Sequence, residues 1–380
     1  MNAVDIAARL LPRSRSLRRV VITDVIVYGI GAVLLAYVAW RLTLTLTSGT
    51  YSLGNFIRDI IAGLAQGGVY ALIALGYTLV YGILFMINFA HSEVFMAGAY
   101  VGYFAITAMK VSGLLDSQPL VALLIVMAIA MAASITIAIG LERIAYRPLR
   151  TAPRLVPLIT AIGASIFLQQ SFRGLFGTNT KVYPDVRMYA FPQLFPHLED
   201  GKGINLTGGI YRVEAFGIEL SILPLQFLIF FTSVAIMIGL YLFVKRTKTG
   251  KAMRAVAEDK ATAALMGINV DRVIVTTFVV GAALAAVAGV LYALYFGQVT
   301  HTMGFIPGIK AFTAAVLGGI GNIPGAMLGG FALGLTEAAA PSLLGITPQL
   351  KDVIAFSMLV LVLIFRPTGI LGEVLSRKKA

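Results

Sequence analysis

Asn88-Phe89-Ala90-His91-Ser92-Glu93 brings an amide, an imidazole, a hydroxyl and a carboxylate together within six positions of an otherwise apolar region. His, Ser and Glu serve general acid–base and nucleophilic catalysis, and Asn-X-X-His-X-Glu carries metal-binding donors. Neither chemistry fits the spacing. Residues one and two apart point in different directions on a helix. The other histidines, His197 and His301, are distant in sequence and cysteine is absent, so no second cluster supplies further ligands or orienting groups. Asn88, His91 and Ser92 stand three and four apart, on one face if the segment is helical. Such a face lines a polar route, clasps a neighbouring helix, or forms a polar turn at a membrane surface; the spacing leaves all three open.

What must position this cluster is a bundle of membrane helices. Of 380 residues, 58% are apolar and 12% charged, and the mean hydropathy is +0.89, against about 25% charged residues in soluble domains. A hydrocarbon core of about 30 Å takes roughly 20 helical residues to cross. Uncharged runs of that size occur at 60–90, 120–141, 222–244, 273–299 and 311–336. The fold class is therefore all-α: a polytopic transmembrane bundle. In 308–344, Gly318-Gly319-Ile320-Gly321-Asn322-Ile323-Pro324-Gly325 excludes continuous unkinked helix. It predicts either two half-helices or a re-entrant pair facing the bundle interior, or a close-packed glycine-rich helix pair, followed by a crossing at about 351–366.

The net charge of +13 is a topology signal rather than a nucleic-acid footprint, because the basic residues cluster between apolar runs. Five arginines precede residue 20, four lie in 143–154, seven Lys or Arg in 245–272 and four in 366–379, whereas 173–221 balances five basic against five acidic residues. Basic loops stay in the cytoplasm. Parity then gives spans near 21–46, 56–80, 86–109, 119–142, 155–176, 222–244 and 273–297, an odd number of further crossings, and both termini inside. No cleavage site follows the arginine-rich start, so the first span is read as retained. Gln66, Gln169, Gln170, Arg173, Lys310 and Glu337 are the other polar residues in or beside apolar runs, with Glu337 read as interfacial.

One cytoplasmic stretch is unlike a connecting loop. Residues 249–272 are alanine-rich, with Met253, Val256, Ala257, Ala261, Ala264 and Leu265 at three- and four-residue steps and Gly267 as a stop. This predicts a short amphipathic helix whose apolar face is covered by the membrane domain, the lipid surface, or a groove on a partner.

The string from Gly63 to Ile83, then Ile87-Asn88-Phe89-Ala90-His91 and Gly98-Ala99-Tyr100, resembles the LivH-type permeases of branched-chain amino-acid ABC transporters. Tyr146-Arg147-Pro148-Leu149-Arg150, Ala255 to Ile268 and Val316 to Asn322 are similar too, and together the likeness covers most of 56–370. The sequence departs from the family with Ser92 in place of a usual glycine, a longer segment 1–50, an enlarged loop 177–221, and no glutamate in the general coupling motif before Gly267. The organisation implied is an N-terminal segment with an extra helix (1–54), a permease domain (55–370) with an outer loop 177–221 and a coupling loop 245–272, and a basic tail (371–380). The resemblance implies a multi-pass inner-membrane subunit working with a LivM-type permease, two ABC ATPases and an extracytoplasmic substrate-binding protein. ATP and Mg would act in the ATPases; no cofactor or catalytic residue is expected here, since the chain lacks Gly-X-X-X-X-Gly-Lys-Ser/Thr. Gln66, Asn88, His91, Ser92 and Glu93 are the pathway candidates, and Ala257, Glu258, Ala261, Ala264 and Gly267 the ATPase-coupling candidates. Competing readings are a permease for urea or short amides, an ion-coupled secondary transporter, and an integral-membrane enzyme.

Overall fold

The computed structural model describes residues 22–49, 51–150, 152–153, 155–188, 204–215, 218–366 and 368–372. The N-terminal arginines, Arg154, Asp200 with the rest of 189–203, and Arg377, Lys378 and Lys379 lie outside them. The chain divides into two units. The smaller comprises 1–51 and Leu343–Ile346; in it helix α1 (Ile22–Thr47) carries Arg41, whose Nε donates to the Leu344 carbonyl at 2.7 Å.

The larger unit is the helical bundle. Its helices are α2 (Leu53–Leu84), α3 (His91–Val111), a single turn α4 (Leu114–Ser117), α5 (Pro119–Gly140), α6 (Leu155–Phe176), α7 (Pro224–Arg246), α8 (Lys248–Glu258), α9 (Lys260–Leu265), α10 (Val270–Phe296), α11 (Phe305–Gly318), α12 (Ile323–Leu344) and α13 (Lys351–Phe365). Among the described residues, eight helical stretches are long and apolar enough to span a bilayer, while Phe305–Gly318 is apolar but shorter. This is a multi-pass membrane protein. Short antiparallel pairs complete it: Lys181–Val182 with Gln298–Val299, Arg187–Met188 with Ile204–Asn205, and Tyr211–Ala215 with Ile218–Ile222.

Lipid supplies no hydrophobic force between helices, so close packing of small residues holds them together. Gly63 and Gly67 on α2 meet the backbone of α12: a Cβ on Gly63 would stand 2.8 Å from Leu335 Cα, and one on Gly67 2.9 Å from the Gly330 carbonyl oxygen. α10 is the central post. It packs on α2, α3 and α5, with Ala285, Ala286, Ala288 and Ala293 wholly buried, and α3 approaches so closely that a Cβ on Gly98 would lie 2.7 Å from Ala286 Cα.

The glycine-broken segment departs from a pair of half-helices. α11 has 14 residues, about 21 Å at 1.5 Å per residue, too short to cross alone, whereas α12 with 22 residues is long enough. Between them Gly319 and Gly321 adopt φ of 103° and 96°, backbone that L side chains rarely take. The turn is pinned by the chain after α13: Ile370 and Leu371 N–H donate to the Leu317 and Gly318 carbonyls at 2.7 and 3.0 Å. α13 matches the predicted final crossing.

The basic loops gather at one end of the bundle. Arg147 and Arg150 both pair with Asp271 at the start of α10, Lys260 lies over the Phe85 ring at the end of α2, and Gly82 faces Gly321 in the turn. Lys110 pairs with Asp116 at the opposite end.

Candidate functional site

The polar cluster at 88–93 is neither a continuous helical face nor a surface turn. α2 ends at Phe85 in left-handed conformation (φ 54°), and the chain runs without helix until α3 begins at His91. Asn88 therefore precedes the helix, and the side chains diverge. Depth is fixed by two glycines. The space beside Gly76 is filled by the His91 ring, and a Cβ on Gly281 would stand 3.5 Å from His91 Cε1. Gly76 lies about 12 Å of helix before the end of α2, and Gly281 about 16 Å into α10, at 1.5 Å per residue. α3 thus starts alongside the interior stretches of α2 and α10 rather than at their ends, and irregular backbone at such a place is tolerated where protein or a water-filled cavity satisfies it.

Asn88 Oδ1 accepts from the Tyr146 hydroxyl at 2.5 Å. His91 packs edge-on to Tyr77 with ring centroids 5.0 Å apart, and its Nε2 has no hydrogen-bond partner among the described residues. Ser92 Oγ donates to the Phe89 carbonyl at 2.8 Å. Glu93, 0% exposed, accepts at Oε1 from Gln169 Nε2 at 2.8 Å and Ser165 Oγ at 3.1 Å, both on α6, with Ser92 Oγ at 3.3 Å. Its first-turn position on α3 sets its charge against the positive end of the helix dipole.

Beside this cluster is a cavity of about 580 Å³, within the range of small-molecule sites. Ser92, Ser165 and Gln169 form its polar pole; Ile162, Ile166, Phe305, Ile306 and Ile309 form an apolar wall, with Tyr77, Phe89 and Thr302 completing the lining. The approach to α11 bounds it: a Cβ on Gly304 would stand 3.1 Å from Glu93 Oε2. The first turns of two helices, α3 and α11, thus meet at the cavity, as broken helices do at transporter sites.

Of the pathway candidates, Ser92 lines the cavity and Glu93 stands behind its wall. Asn88 and His91 are structural neighbours of the site, held by Tyr146 and Tyr77. Gln66 is elsewhere: its Nε2 donates to Tyr70 Oη at 2.6 Å and Glu337 Oε1 at 3.1 Å. Glu337 does not face the surroundings of the bundle. It is buried and paired with Lys310, which also reaches Asp352 at 2.6 Å. Of the two glutamines on α6, Gln169 faces inward and Gln170 is exposed. Ser165 escaped sequence reasoning, although it stands four residues before Gln169 on the same helix face and that pairing was the available signal.

The segment predicted as one amphipathic helix is two. Asp259 caps the second, accepting from Ala261 and Thr262 N–H at 2.8 and 3.1 Å, and Gly267 ends it at φ 82°. The apolar face turns back on the bundle: Met253 is 3% exposed and Val256 0%. Ala257 is half-buried, while Glu258, Ala261, Ala264 and Gly267 are exposed, and the tip presents Leu265 and Met266 at 88% and 79% exposure. Burial, then the nearby Arg150 charge, hold the Lys260 ammonium below its ordinary pKa.

The family model described as the permease component of a branched-chain amino acid transport system matches residues 59–363. The high-affinity branched-chain amino acid transport system permease protein BraD of Pseudomonas aeruginosa is 49% identical over 323 residues, covering 84% of this chain and 96% of its own length. The LivH permease of the corresponding Escherichia coli system is 46% identical over 318 residues, with the same coverage of 84% and 96%. A probable branched-chain amino acid permease LivH of Methanocaldococcus jannaschii is 28% identical over 270 residues, covering 70% of this chain and 75% of its own. With a matched region that runs from the second turn of α2 almost to the end of α13, and with two relatives aligned over 96% of their own length, the chain belongs to the permease-component family of branched-chain amino acid transport systems.

Proposed function

We propose that this chain is the membrane-spanning permease subunit of an ABC importer, moving branched-chain amino acids inward with energy from separate ATPase subunits. The observation that carries the reading is the near end-to-end identity of 46–49% with permeases named for high-affinity branched-chain amino acid transport. The interior supports it: a cavity of about 580 Å³ with a polar pole and an isoleucine-rich wall suits a zwitterion with an aliphatic side chain.

The basic end is cytoplasmic on this reading, with both termini inside and α8–α9 presenting Ala261, Ala264, Leu265 and Met266 to an ATPase. A second permease of LivM type and an extracytoplasmic binding protein complete the assembly. Lys260 contacts Phe85, the last residue before the stretch leading to Ser92 and Glu93, so a push on α9 reaches the cavity within a few residues.

The test is leucine uptake by proteoliposomes holding the full assembly. ATP-dependent accumulation that survives dissipation of ion gradients is expected, and Glu93→Gln lowers it without preventing assembly. Accumulation that collapses with the ion gradient and ignores ATP overturns the reading in favour of a secondary transporter.

A further inference from the structure

The cavity's polar pole offers mostly acceptors. The single proton of Ser165 Oγ goes to Glu93 Oε1 at 3.1 Å, and that of Ser92 Oγ to the Phe89 carbonyl at 2.8 Å, so each hydroxyl presents lone pairs to anything else that approaches. Gln169 Nε2 is anchored on Glu93 at 2.8 Å. Because a carboxylate only accepts, the amide must face it through nitrogen, which turns the Gln169 carbonyl away from Glu93. Two donors on one carboxylate oxygen, from Ser165 and Gln169, hold this arrangement, and Glu93 Oε2 remains without a partner among the described residues. The Glu93 carboxyl group thus lies directly behind a ring of lone pairs, and an ionised carboxylate there attracts a cation.

We propose that Ser92, Ser165 and Gln169, backed by Glu93, form a site in the cavity for the ammonium group of a small aliphatic amino acid. Its side chain lies against Ile162, Ile166, Ile306 and Ile309. The inference rests on the amino-acid permease reading above and adds to it a selective step in the membrane: the permease recognises the amine end of its cargo. Gln169 and Ser165 are contact residues. Glu93 is a positioning residue that orders Ser165 and Gln169.

The experiment uses the purified, assembled transporter without its binding protein, and measures displacement of radiolabelled leucine by two half-molecules: 3-methylbutylamine, which keeps the ammonium group and drops the carboxylate, and 4-methylpentanoate, which does the reverse. The amine is expected to compete at least ten-fold better than the acid. Ser165→Ala and Gln169→Leu, at the cavity surface, should each weaken leucine and the amine about ten-fold and leave the acid unchanged. Ile306→Ala should weaken all three ligands. Equal competition by amine and acid, unchanged amine affinity in both polar variants, or no saturable leucine binding to a complex that does transport it each overturns the site. Leucine uptake by the same preparations is followed in parallel. Absence of uptake in the wild type sinks the permease reading, whereas uptake with unaltered amine binding in both polar variants sinks the ammonium site alone.

Discussion

Lys310 Nζ lies 2.7 Å from Glu337 Oε1, with 3% and 1% of the two side chains exposed. The pair ties the short helix α11 to α12, and Asp352 on α13 and Gln66 on α2 close on it from either side. α11 carries Phe305, Ile306 and Ile309 into the cavity wall. A helix of 14 residues has few turns with which to anchor itself, and the ion pair fixes its depth.

Removing one partner of a buried pair leaves an uncompensated charge, a loss of about 3–5 kcal/mol. Lys310→Met is therefore expected to lower the thermal unfolding midpoint of the detergent-solubilised protein sharply, and Lys310→Met with Glu337→Leu to recover much of it. A single variant as stable as the wild type would show that the pair does not hold α11.

Glycines separate packing from propensity. The His91 ring occupies the space beside Gly76, whereas nothing lies within 4 Å of a Cβ on Gly163. Gly76→Ala should destabilise by about 1–3 kcal/mol through overpacking. Gly163→Ala, in the interior of α6, should be neutral or stabilising by up to about 1 kcal/mol from helix propensity. Thermal midpoints of the two variants in one detergent check the sign of each.

The spans were legible because a bilayer forces long uncharged runs; the crossing read at 351–366 is Lys351–Phe365. The site was legible in composition and not in geometry. Glu93 meets Ser165 and Gln169 across 72 and 76 residues, contacts that exist only once α3 and α6 pack. The pairing of Glu337 was hidden for the same reason, since Lys310 reaches it only after the Gly318–Gly325 turn folds α11 against α12. The break at Asp259 was readable: an aspartate followed by Lys-Ala-Thr-Ala is a helix N-cap signal, hidden beneath an alanine-rich repeat that spans it.

Orientation follows from labelling. The chain has no cysteine, and Asp185 and Leu265 are both exposed, Asp185 in the stretch between α6 and α7 and Leu265 at the tip of α9. In intact cells an impermeant thiol reagent should modify Asp185→Cys and spare Leu265→Cys until the membrane is opened. The reverse pattern would invert the topology.

The α9 tip carries the most consequential test of coupling. Leu265 and Met266 stand 88% and 79% exposed beside the basic loops, while Met253 and Val256 on α8 and Ala263 on α9 are packed into the bundle. Burying a side chain of this size stabilises by about 1.5–3 kcal/mol, so an ATPase groove that covers both gains enough to hold the segment. A charge placed there stays in water in the free subunit and becomes a buried, unpaired charge in the complex, at a cost of several kcal/mol. Ala261→Arg and Leu265→Glu should thus leave insertion and the thermal midpoint of the isolated permease within about 0.5 kcal/mol of the wild type, as surface substitutions do, and abolish co-purification of the ATPase. Ala257→Arg, at a half-buried position, should lower the permease midpoint as well, which separates a docking defect from a folding defect. Undiminished ATPase co-purification with Leu265→Glu, together with leucine-stimulated ATP hydrolysis, would sink the docking surface and leave α9 as a cap on the end of the bundle.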